Sequence, residues 1–215
     1  MFLVIKKMKK FFFLLTCFVF LNSEIQSEIN FKPLLDKSDN RNLSKKILEV
    51  MPELNDLYFG NEDAENIIIE FVDYNCIYCK KVHPEIMDVI NQREDVKLYI
   101  LQFPVISETS RFYALTILAL TKQDRQKAIN VHNSLMLIES KINDKILEEI
   151  LIKNEIDIEK YMQNINMVEL EEILEVSYFL ARRIGGKGTP TLVINNKVIP
   201  GYIKKNTIID LIDEK

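Results

Sequence analysis

The chain has 215 residues, of which 47% are hydrophobic and 28% are charged, and its formal net charge is −4 at pH 7. This length and apolar content can bury a sizeable core and suit a single domain with an inserted subdomain. The acidic balance, with no basic patch among aromatic residues, argues against nucleic acid as a partner. The three cysteines are too few for a framework of structural disulfides.

The N-terminus has the pattern of a secretory signal peptide. Four lysines between positions 6 and 10 precede the uninterrupted apolar run Phe11–Leu21, and polar residues follow. The run is shorter than the roughly 20 residues that span a bilayer, so we predict an export signal over residues 1–27 and a periplasmic location. An uncleaved membrane anchor is the alternative. Cleavage would remove four basic residues and one acidic residue, taking the net charge from −4 to −7, and would leave two cysteines.

Residues 28–57 are predicted to form a helical N-terminal extension that packs on the main domain. Leu43, Ile47 and Leu48 recur at the spacing of a short helix. The polar sequence Gly60–Asp63 follows and predicts a turn that leads into a sheet.

Residues 58–104 are predicted to form a βαβ unit. The run Ile67–Val72 is apolar without a clean alternation, which indicates a strand in the middle of a sheet covered by helices on both sides. An amphipathic helix follows and is expected to end at about Asn91. The apolar segment Val96–Phe103 predicts the second strand of the unit.

Residues 105–187 are helical in pattern almost throughout, and they predict a helical insertion between the two halves of a sheet domain. The helices are expected over Arg111–Leu120, Arg125–Ile138, Asp144–Ile152, Asp157–Gln163 and Met167–Ile184.

Residues 188–215 are predicted to form the second half of the sheet domain. Two short apolar strands flank the sequence Asn195-Asn196, which is typical of a hairpin turn. Asn206 or Thr207 is expected to cap a final helix.

The sequence Cys76-Ile77-Tyr78-Cys79 lies where the first predicted strand gives way to a helix. A thiol at a helix N-terminus meets unpaired backbone N–H groups and the positive end of the helix dipole. Both favour the thiolate, so Cys76 is the candidate nucleophile. Cys79 lies one helical turn away and can close a disulfide with it.

A zinc site is the alternative role for this pair, because His83 follows Cys79 by four residues on the same helical face. A structural zinc site needs a fourth ligand, and after cleavage the chain offers only His132 or a carboxylate. We therefore expect no metal, and we expect His83 to be a helix-surface or interface residue.

Two separated motifs resemble the DsbA-type thiol:disulfide oxidoreductases of the thioredoxin superfamily. The first is EFVDYNCIYCK over Glu70–Lys80, and the second is GTPT over Gly188–Thr191. The helical stretch between them matches the helical insertion of that family in position and length, and the similarity covers about residues 58–214. The resemblance implies an α/β protein with a thioredoxin-like fold and a helical insertion between its βαβ and ββα halves.

The resemblance also implies the role of each site residue. Cys76 would be the nucleophile and Cys79 the buried resolving cysteine. Glu70 would be a buried acid that exchanges a proton with Cys79, although an exposed carboxylate at a strand edge is the alternative. Pro190 would follow a cis peptide bond, which would place the backbone of Thr189 beside the sulfurs, free to pair with a substrate peptide. No cofactor is implied beyond the redox-active disulfide itself.

The residues between the cysteines depart from the best-known DsbA pattern, in which the pair is Pro-His. Here they are Ile77 and Tyr78, and a tyrosine cannot supply a positive charge to a thiolate. We therefore expect a Cys76 pKa between the DsbA extreme of about 3.5 and the thioredoxin value of about 7. A less stabilised thiolate makes a weaker oxidant.

These features predict a monomeric periplasmic enzyme that forms disulfides in exported proteins by thiol–disulfide exchange through Cys76 and Cys79. Its expected partners are unfolded or partly folded exported proteins with cysteines, and a membrane redox partner that resets the disulfide. The alternatives are a reductase or isomerase of the same substrates, or a non-catalytic surface protein that binds peptides. Thr189 before the proline resembles the isomerase branch, but residues 28–57 are too few for the dimerisation domain of that branch.

Overall fold

A five-stranded mixed sheet with the order β1-β3-β2-β4-β5 forms the centre of the fold. The computed structural model describes residues 5–10, 34, 41–50 and 52–214. Strand β2 is parallel to β3, and the three other neighbouring pairs are antiparallel. The strands are β1 (Tyr58–Gly60), β2 (Asn66–Val72), β3 (Val96–Gln102), β4 (Thr191–Ile194) and β5 (Lys197–Pro200).

Helices precede, connect and follow these strands. They are α1 (Leu43–Leu48), α2 (Ile77–Ile90), α3 (Glu108–Gln123), α4 (Arg125–Met136), α5 (Asp144–Lys153), α6 (Ile158–Gln163), α7 (Met167–Arg183) and α8 (Lys205–Asp213), with a 3-10 turn over Pro52–Asn55. Five of them, α3 to α7, lie between β3 and β4 in the chain, in the order in which the sequence predicted five helices. Helix α3 begins earlier than predicted, because the Ser107 side chain accepts a hydrogen bond from the Ser110 N–H and caps it.

Both faces of β2 are buried, as its unbroken apolar run predicted. Ile68 and Val72 belong to the core that contains α2 and α8. Ile69 and Phe71 belong to the core on the opposite face, which contains α1 and α7. Because side chains alternate along a strand, Glu70 lies on the same face as Ile68 and Val72, towards α2.

The predicted turn at Gly60–Asp63 is confirmed except at its first residue: the Asn61 carbonyl accepts a hydrogen bond from the Ala64 N–H, whereas Gly60 ends a strand that the sequence did not predict. Tyr58–Gly60 forms β1, a short edge strand antiparallel to β3, and its register pairs Gly60 with Lys97. Gly60 has φ = +95°, and a Cβ at this position would lie 2.5 Å from the Val96 carbonyl oxygen. A three-residue strand has too few alternating positions to be detected by periodicity. The turn at Asn195-Asn196 is confirmed, with Asn195 at φ = +52°.

The prediction that Asn206 or Thr207 caps the final helix is wrong. Helix α8 begins at Lys205, and its N-cap residue, Lys204, makes no side-chain capping bond. Instead, the Glu85 carboxylate on α2 accepts a 2.9 Å hydrogen bond from the Lys205 backbone N–H. A carboxylate from another helix thus accepts a backbone N–H at the start of α8 that a capping side chain would otherwise bind.

The predicted signal peptide lies largely outside the described residues, which include only positions 5–10 of it. These form a helical segment in which Ile5 and Met8 are buried. The Lys9 ammonium pairs with Asp144 and lies 5.5 Å from the Phe112 ring centroid. Within the described ranges, no helix combines the length and the apolar character needed to cross a membrane.

Candidate active site

Cys76 is the N-cap residue of α2, in an extended backbone conformation with φ = −83° and ψ = 115°. The chain leaves β2 at Val72 and turns through Asp73, whose carbonyl accepts a 2.9 Å hydrogen bond from the Cys76 N–H. This turn places the Cys76 sulfur at the start of the helix, where its orphan N–H groups point outward. Cys76 and Cys79 are both free thiols in this structure.

The Cys76 thiol lies against the loop that carries the second sequence motif. Its Sγ donates a 3.1 Å hydrogen bond to the Thr189 carbonyl oxygen, and the Thr189–Pro190 peptide bond is cis, as the resemblance implied. The Cys76 pKa is lowered to about 6. The largest cause is the hydrogen bond from the Cys79 thiol, and the Thr189 side chain and the backbone N–H groups of Cys79 and Tyr78 act in the same direction, against burial.

Cys79 is the opposite kind of thiol. It is 0% exposed, and burial is the largest cause that raises its pKa well above the usual value. The hydrogen bond to Cys76 and the charge of Glu70 raise it further. One thiol is therefore tuned towards the anion and its neighbour towards the neutral form, as a nucleophile and a resolving cysteine require.

Glu70 is fully buried on β2, so the alternative of an exposed carboxylate at a strand edge is wrong. The reason is the strand order, which places β2 in the middle of the sheet with β3 and β4 on its sides. The Glu70 Oε2 atom lies 3.2 Å from Nδ1 of His83. Its Oε1 atom is buried without a hydrogen-bond partner in the described structure.

His83 is 4% exposed, so its interpretation as a helix-surface residue is wrong. Its ring lies 5.8 Å from the Phe59 ring and 4.8 Å from the His132 ring, centroid to centroid. The unpredicted strand β1 supplies Phe59, which covers this side of the helix. The burial of His83 could have been predicted from its position four residues after Cys79. This spacing puts both side chains on the same face of α2, and the face of Cys79 is buried.

His132 lies deeper in the same cluster, on α4. Its Nδ1 atom is 2.8 Å from the Tyr74 hydroxyl, which also accepts a 3.3 Å hydrogen bond from the Gln102 side chain. Burial is the main cause that holds the His132 pKa well below its usual value, and the His83 charge adds to it. Within the part of the chain that the structure describes, no group of three or more histidine, cysteine or acidic side chains could hold a metal ion.

Two polar residues of the motif that the sequence interpretation passed over fix the loop before Cys76. Asp73 Oδ2 accepts 2.9 Å hydrogen bonds from the backbone N–H groups of Val105 and Ile106. Asp73 Oδ1 accepts another from the Asn75 N–H. The Asn75 amide nitrogen then reaches hydroxyls at the start of α3, including that of Ser110 at 2.9 Å. The loop after β2 is thereby joined to the loop after β3.

Ile77 and Tyr78 project from the first turn of α2 into solvent, 56% and 54% exposed. The Lys81 ammonium lies 5.6 Å from the centroid of the Tyr78 ring. Beside them is a cavity of about 600 Å³, lined by Ile77, by Ile106 and by polar residues of α3 and of the loop before α5. The surface at the start of α2 is therefore part apolar and part polar.

Comparisons with known proteins agree with this geometry. The family model described as Thioredoxin matches residues 53–214. The chain is 24% identical over 163 residues to the probable disulfide bond formation protein D of Bacillus anthracis, covering 70% of this chain and 75% of that protein. A thioredoxin-like oxidoreductase from Silicibacter pomeroyi DSS-3 superposes with a TM-score of 0.70 at 26% identity, covering 79% of this chain and 95% of that one.

A further solved structure has the same fold. It is a periplasmic thioredoxin-like protein from Salmonella enterica serovar Typhimurium, with a TM-score of 0.71 and 24% identity over 82% of this chain and 97% of that one. The α/β thioredoxin-like fold with a helical insertion, predicted from the two motifs and the helical pattern between them, is confirmed.

Proposed function

The chain belongs to the thioredoxin family and is a DsbA-like thiol:disulfide oxidoreductase, and we propose that it forms disulfides in exported proteins in the periplasm. The main observation behind the proposal is that the surroundings of the two thiols shift their pKa values in opposite directions. The Cys76 pKa is lowered to about 6, whereas the Cys79 pKa is raised well above its usual value. A stabilised Cys76 thiolate favours the reduced enzyme, so its disulfide tends to take electrons from other thiols.

The reaction proceeds through two exchanges at Cys76. A substrate thiolate attacks the Cys76 Sγ of the oxidised enzyme, the Cys76–Cys79 bond breaks, and the electron pair goes to the Cys79 sulfur. A second substrate thiolate then attacks the substrate sulfur of the mixed disulfide and releases Cys76 as its stabilised thiolate. The substrate gains a disulfide and the enzyme keeps both electrons.

Five further site residues have proposed roles in this reaction. Glu70 exchanges a proton with Cys79, because burial disfavours a free Cys79 thiolate. The cis peptide bond before Pro190 presents the backbone of Thr189 beside the Cys76 sulfur, where Thr189 pairs with an extended segment of substrate. Ile77 and Tyr78 form the exposed rim that a partly folded protein contacts.

The location and the partners are part of the same proposal. An export signal over residues 1–27 would deliver the enzyme to a compartment where disulfides persist. Its substrates are exported proteins whose cysteine pairs are exposed before they fold. Since each turnover leaves the enzyme reduced, a membrane redox partner resets the Cys76–Cys79 disulfide.

The deciding experiment is equilibration of the protein with glutathione at known ratios. An oxidase has a potential nearer to about −120 mV than to about −270 mV, the values of a strong oxidant and of thioredoxin. A value near the second would support a reductase of the same substrates instead. A peptide-binding protein without catalysis would keep its binding activity after Cys76→Ser, whereas the proposed enzyme loses exchange.

A further inference from the structure

Glu70 and His83 form a buried pair on the side of the sheet that faces α2, and the charge of Glu70 helps to raise the pKa of the Cys79 thiol. The Glu70 carboxyl is fully buried and His83 is 4% exposed, with 3.2 Å between Oε2 and Nδ1. The second carboxyl oxygen, Oε1, has no hydrogen-bond partner in the described structure. A buried carboxylate is costly unless it is paired, and the partner of Glu70 in the described structure is the His83 ring.

The other nitrogen of the His83 ring leads away from the active site. Its Nε2 atom lies 3.4 Å from the Asn133 Oδ1 atom on α4, and Asn133 is half-buried. A side-chain amide can accept a hydrogen bond through its oxygen or donate one through its nitrogen. Asn133 can therefore pair with Nε2 whether or not that atom carries a proton.

The titratable groups around the His83 ring are few in the described structure. Glu70 contacts it from β2, and His132 packs against it from α4. Cys79 precedes it by one turn on α2, and Tyr74 reaches the cluster through its bond to His132. On the side of β1 the ring contacts the apolar Phe59. A proton can therefore pass between the ring and the surface at Nε2, which faces the polar Asn133 side chain.

We propose that His83 relays the proton that Glu70 exchanges with Cys79, passing it between the buried carboxyl and the surface beside Asn133. This inference rests on the proposed function, since it needs Cys79 to alternate between disulfide and thiol. It makes His83 a positioning and relay residue, because the ring acts on Cys79 only through Glu70.

The relay balances for the oxidation of a substrate. When a substrate thiolate attacks Cys76, the sulfur–sulfur bond breaks and Cys79 leaves with the electron pair. The Cys79 thiolate takes a proton from Glu70, and the proton on Nδ1 of the neutral His83 ring moves to the carboxyl. In the same step Nε2, on the other side of the ring, takes up a proton from solvent beside Asn133. Reoxidation by the partner runs these transfers backwards and returns the proton to solvent.

Two substitutions separate a relay from a merely structural histidine. His83→Asn places an amide nitrogen where Nδ1 lies, so it can still donate to Glu70 but cannot carry a proton onward. His83→Gln places its amide where Nε2 lies and keeps the side towards Asn133. The matched control is His132→Asn, which changes the one other histidine of the chain and keeps an amide near Tyr74.

The readout is the single-turnover rate at which glutathione reduces the oxidised protein, measured by stopped flow from pH 5 to 9. In wild type we expect the rate to depend on pH more strongly than the ionisation of glutathione alone would make it, because Cys79 takes up a proton through Glu70 and His83. His83→Asn and His83→Gln should lose this extra pH dependence and fall in rate by on the order of tenfold, below the full effect of a general acid because Glu70 remains. His132→Asn should keep the wild-type profile.

A second readout does not depend on turnover. The ring resonances of His83 in a heteronuclear NMR spectrum should shift between the oxidised and the reduced protein, and His132→Asn assigns them without ambiguity. A wild-type pH profile and rate in a folded His83→Asn protein would overturn the relay. Failure of wild type to exchange with glutathione would instead overturn the proposed function.

Discussion

Cys76 and Cys79 are three residues apart, yet their surroundings displace their pKa values in opposite directions. The helix start and the Thr189 loop surround the first sulfur, and the closed core surrounds the second. This difference fits the proposed exchange, in which the substrate attacks the Cys76 sulfur and Cys79 leaves as the buried thiol.

Cys76→Ser is expected to abolish thiol exchange, whereas Cys79→Ser should leave a protein that accumulates mixed disulfides. In the reverse direction of the exchange, Cys76 attacks a disulfide of the partner protein and Cys79 then displaces the partner from the mixed disulfide, so a protein without Cys79 keeps it bound. Mass spectrometry of both variants after incubation with an unfolded protein that carries a disulfide measures the adducts. The assignment of roles would fail if alkylation of reduced wild type labelled Cys79 before Cys76.

The stability of the reduced protein should rise as the pH increases from about 6 to about 9. The Cys76 pKa is near 6 in the folded state against an ordinary 9.0, so the thiolate stabilises the fold above the unfolded pKa and loses this effect as the pH falls through 6. The Cys79 pKa is raised, so its contribution changes only above the unfolded value and leaves this window unaffected.

Urea unfolding at several pH values, with reductant present, measures this slope, which cannot exceed about 1.4 kcal/mol per pH unit for one group. Cys76→Ser removes the titrating group and should flatten the curve between the two pKa values. An equal slope in that variant would mean that another group controls the pH dependence.

Tyr78→His should lower the Cys76 pKa and make the disulfide more oxidising. An imidazolium in the first turn of α2 adds positive charge near the thiolate. A shift of one pKa unit corresponds to about 30 mV, and we expect less because residue 78 is half exposed and Lys81 already lies over it. Thiolate absorbance against pH and glutathione equilibration measure both quantities, with Tyr78→Phe as the uncharged control. An unchanged pKa would mean that the helix start alone sets the reactivity.

At the scale of elements, the loop between β2 and α2 depends on Asp73. Its carboxylate accepts hydrogen bonds from the backbone N–H groups of Asn75, Val105 and Ile106. Because the first of these precedes Cys76 and the others follow β3, one side chain holds two loops in register. The position of Cys76, the proposed nucleophile, therefore depends on the hydrogen bonds of the Asp73 carboxylate.

Asp73→Ala should lower the free energy of unfolding by about 2–4 kcal/mol, since it leaves three backbone donors without their acceptor. Asp73→Asn keeps one acceptor oxygen and should lose less. Thermal or urea unfolding measures the difference, with the exposed Glu65→Ala as the control. A loss within about 0.5 kcal/mol for Asp73→Ala, the usual range of surface substitutions, would mean that solvent satisfies these groups as well as the carboxylate does.

The sequence predicted the elements whose signals are local. The apolar run of β2 indicated a central strand, and the helical periodicity indicated the helices between β3 and β4. It failed where partners come from elsewhere in the chain: β1 is too short to show a period, and Glu85 caps α8 from another helix. The site shows the same division, because the cysteines were visible in the sequence whereas the Glu70–His83 contact depends on the packing of β1 and α4 around α2.

At the scale of the whole molecule, the sheet separates two hydrophobic cores, and only one of them contains the cysteines. The core towards α2 contains the thiols, the acid and the buried histidines, together with the apolar side chains of α3 to α6. The opposite core, with α1 and α7, is apolar and holds the back of the sheet. A backbone hydrogen bond of 2.9 Å from Ser44 to Asn195 joins the N-terminal extension to the turn between β4 and β5.

The two outer strands of the sheet are poor templates for another chain. Strand β1 is three residues long, and β5 begins with the exposed Lys197 and ends with Pro200, which has no N–H to offer. Short, charged and proline-bearing edges are how sheet proteins avoid edge-to-edge aggregation. Replacing both Lys197 and Pro200 with valine should therefore raise light scattering on refolding far more than Lys187→Val, a control in an exposed loop.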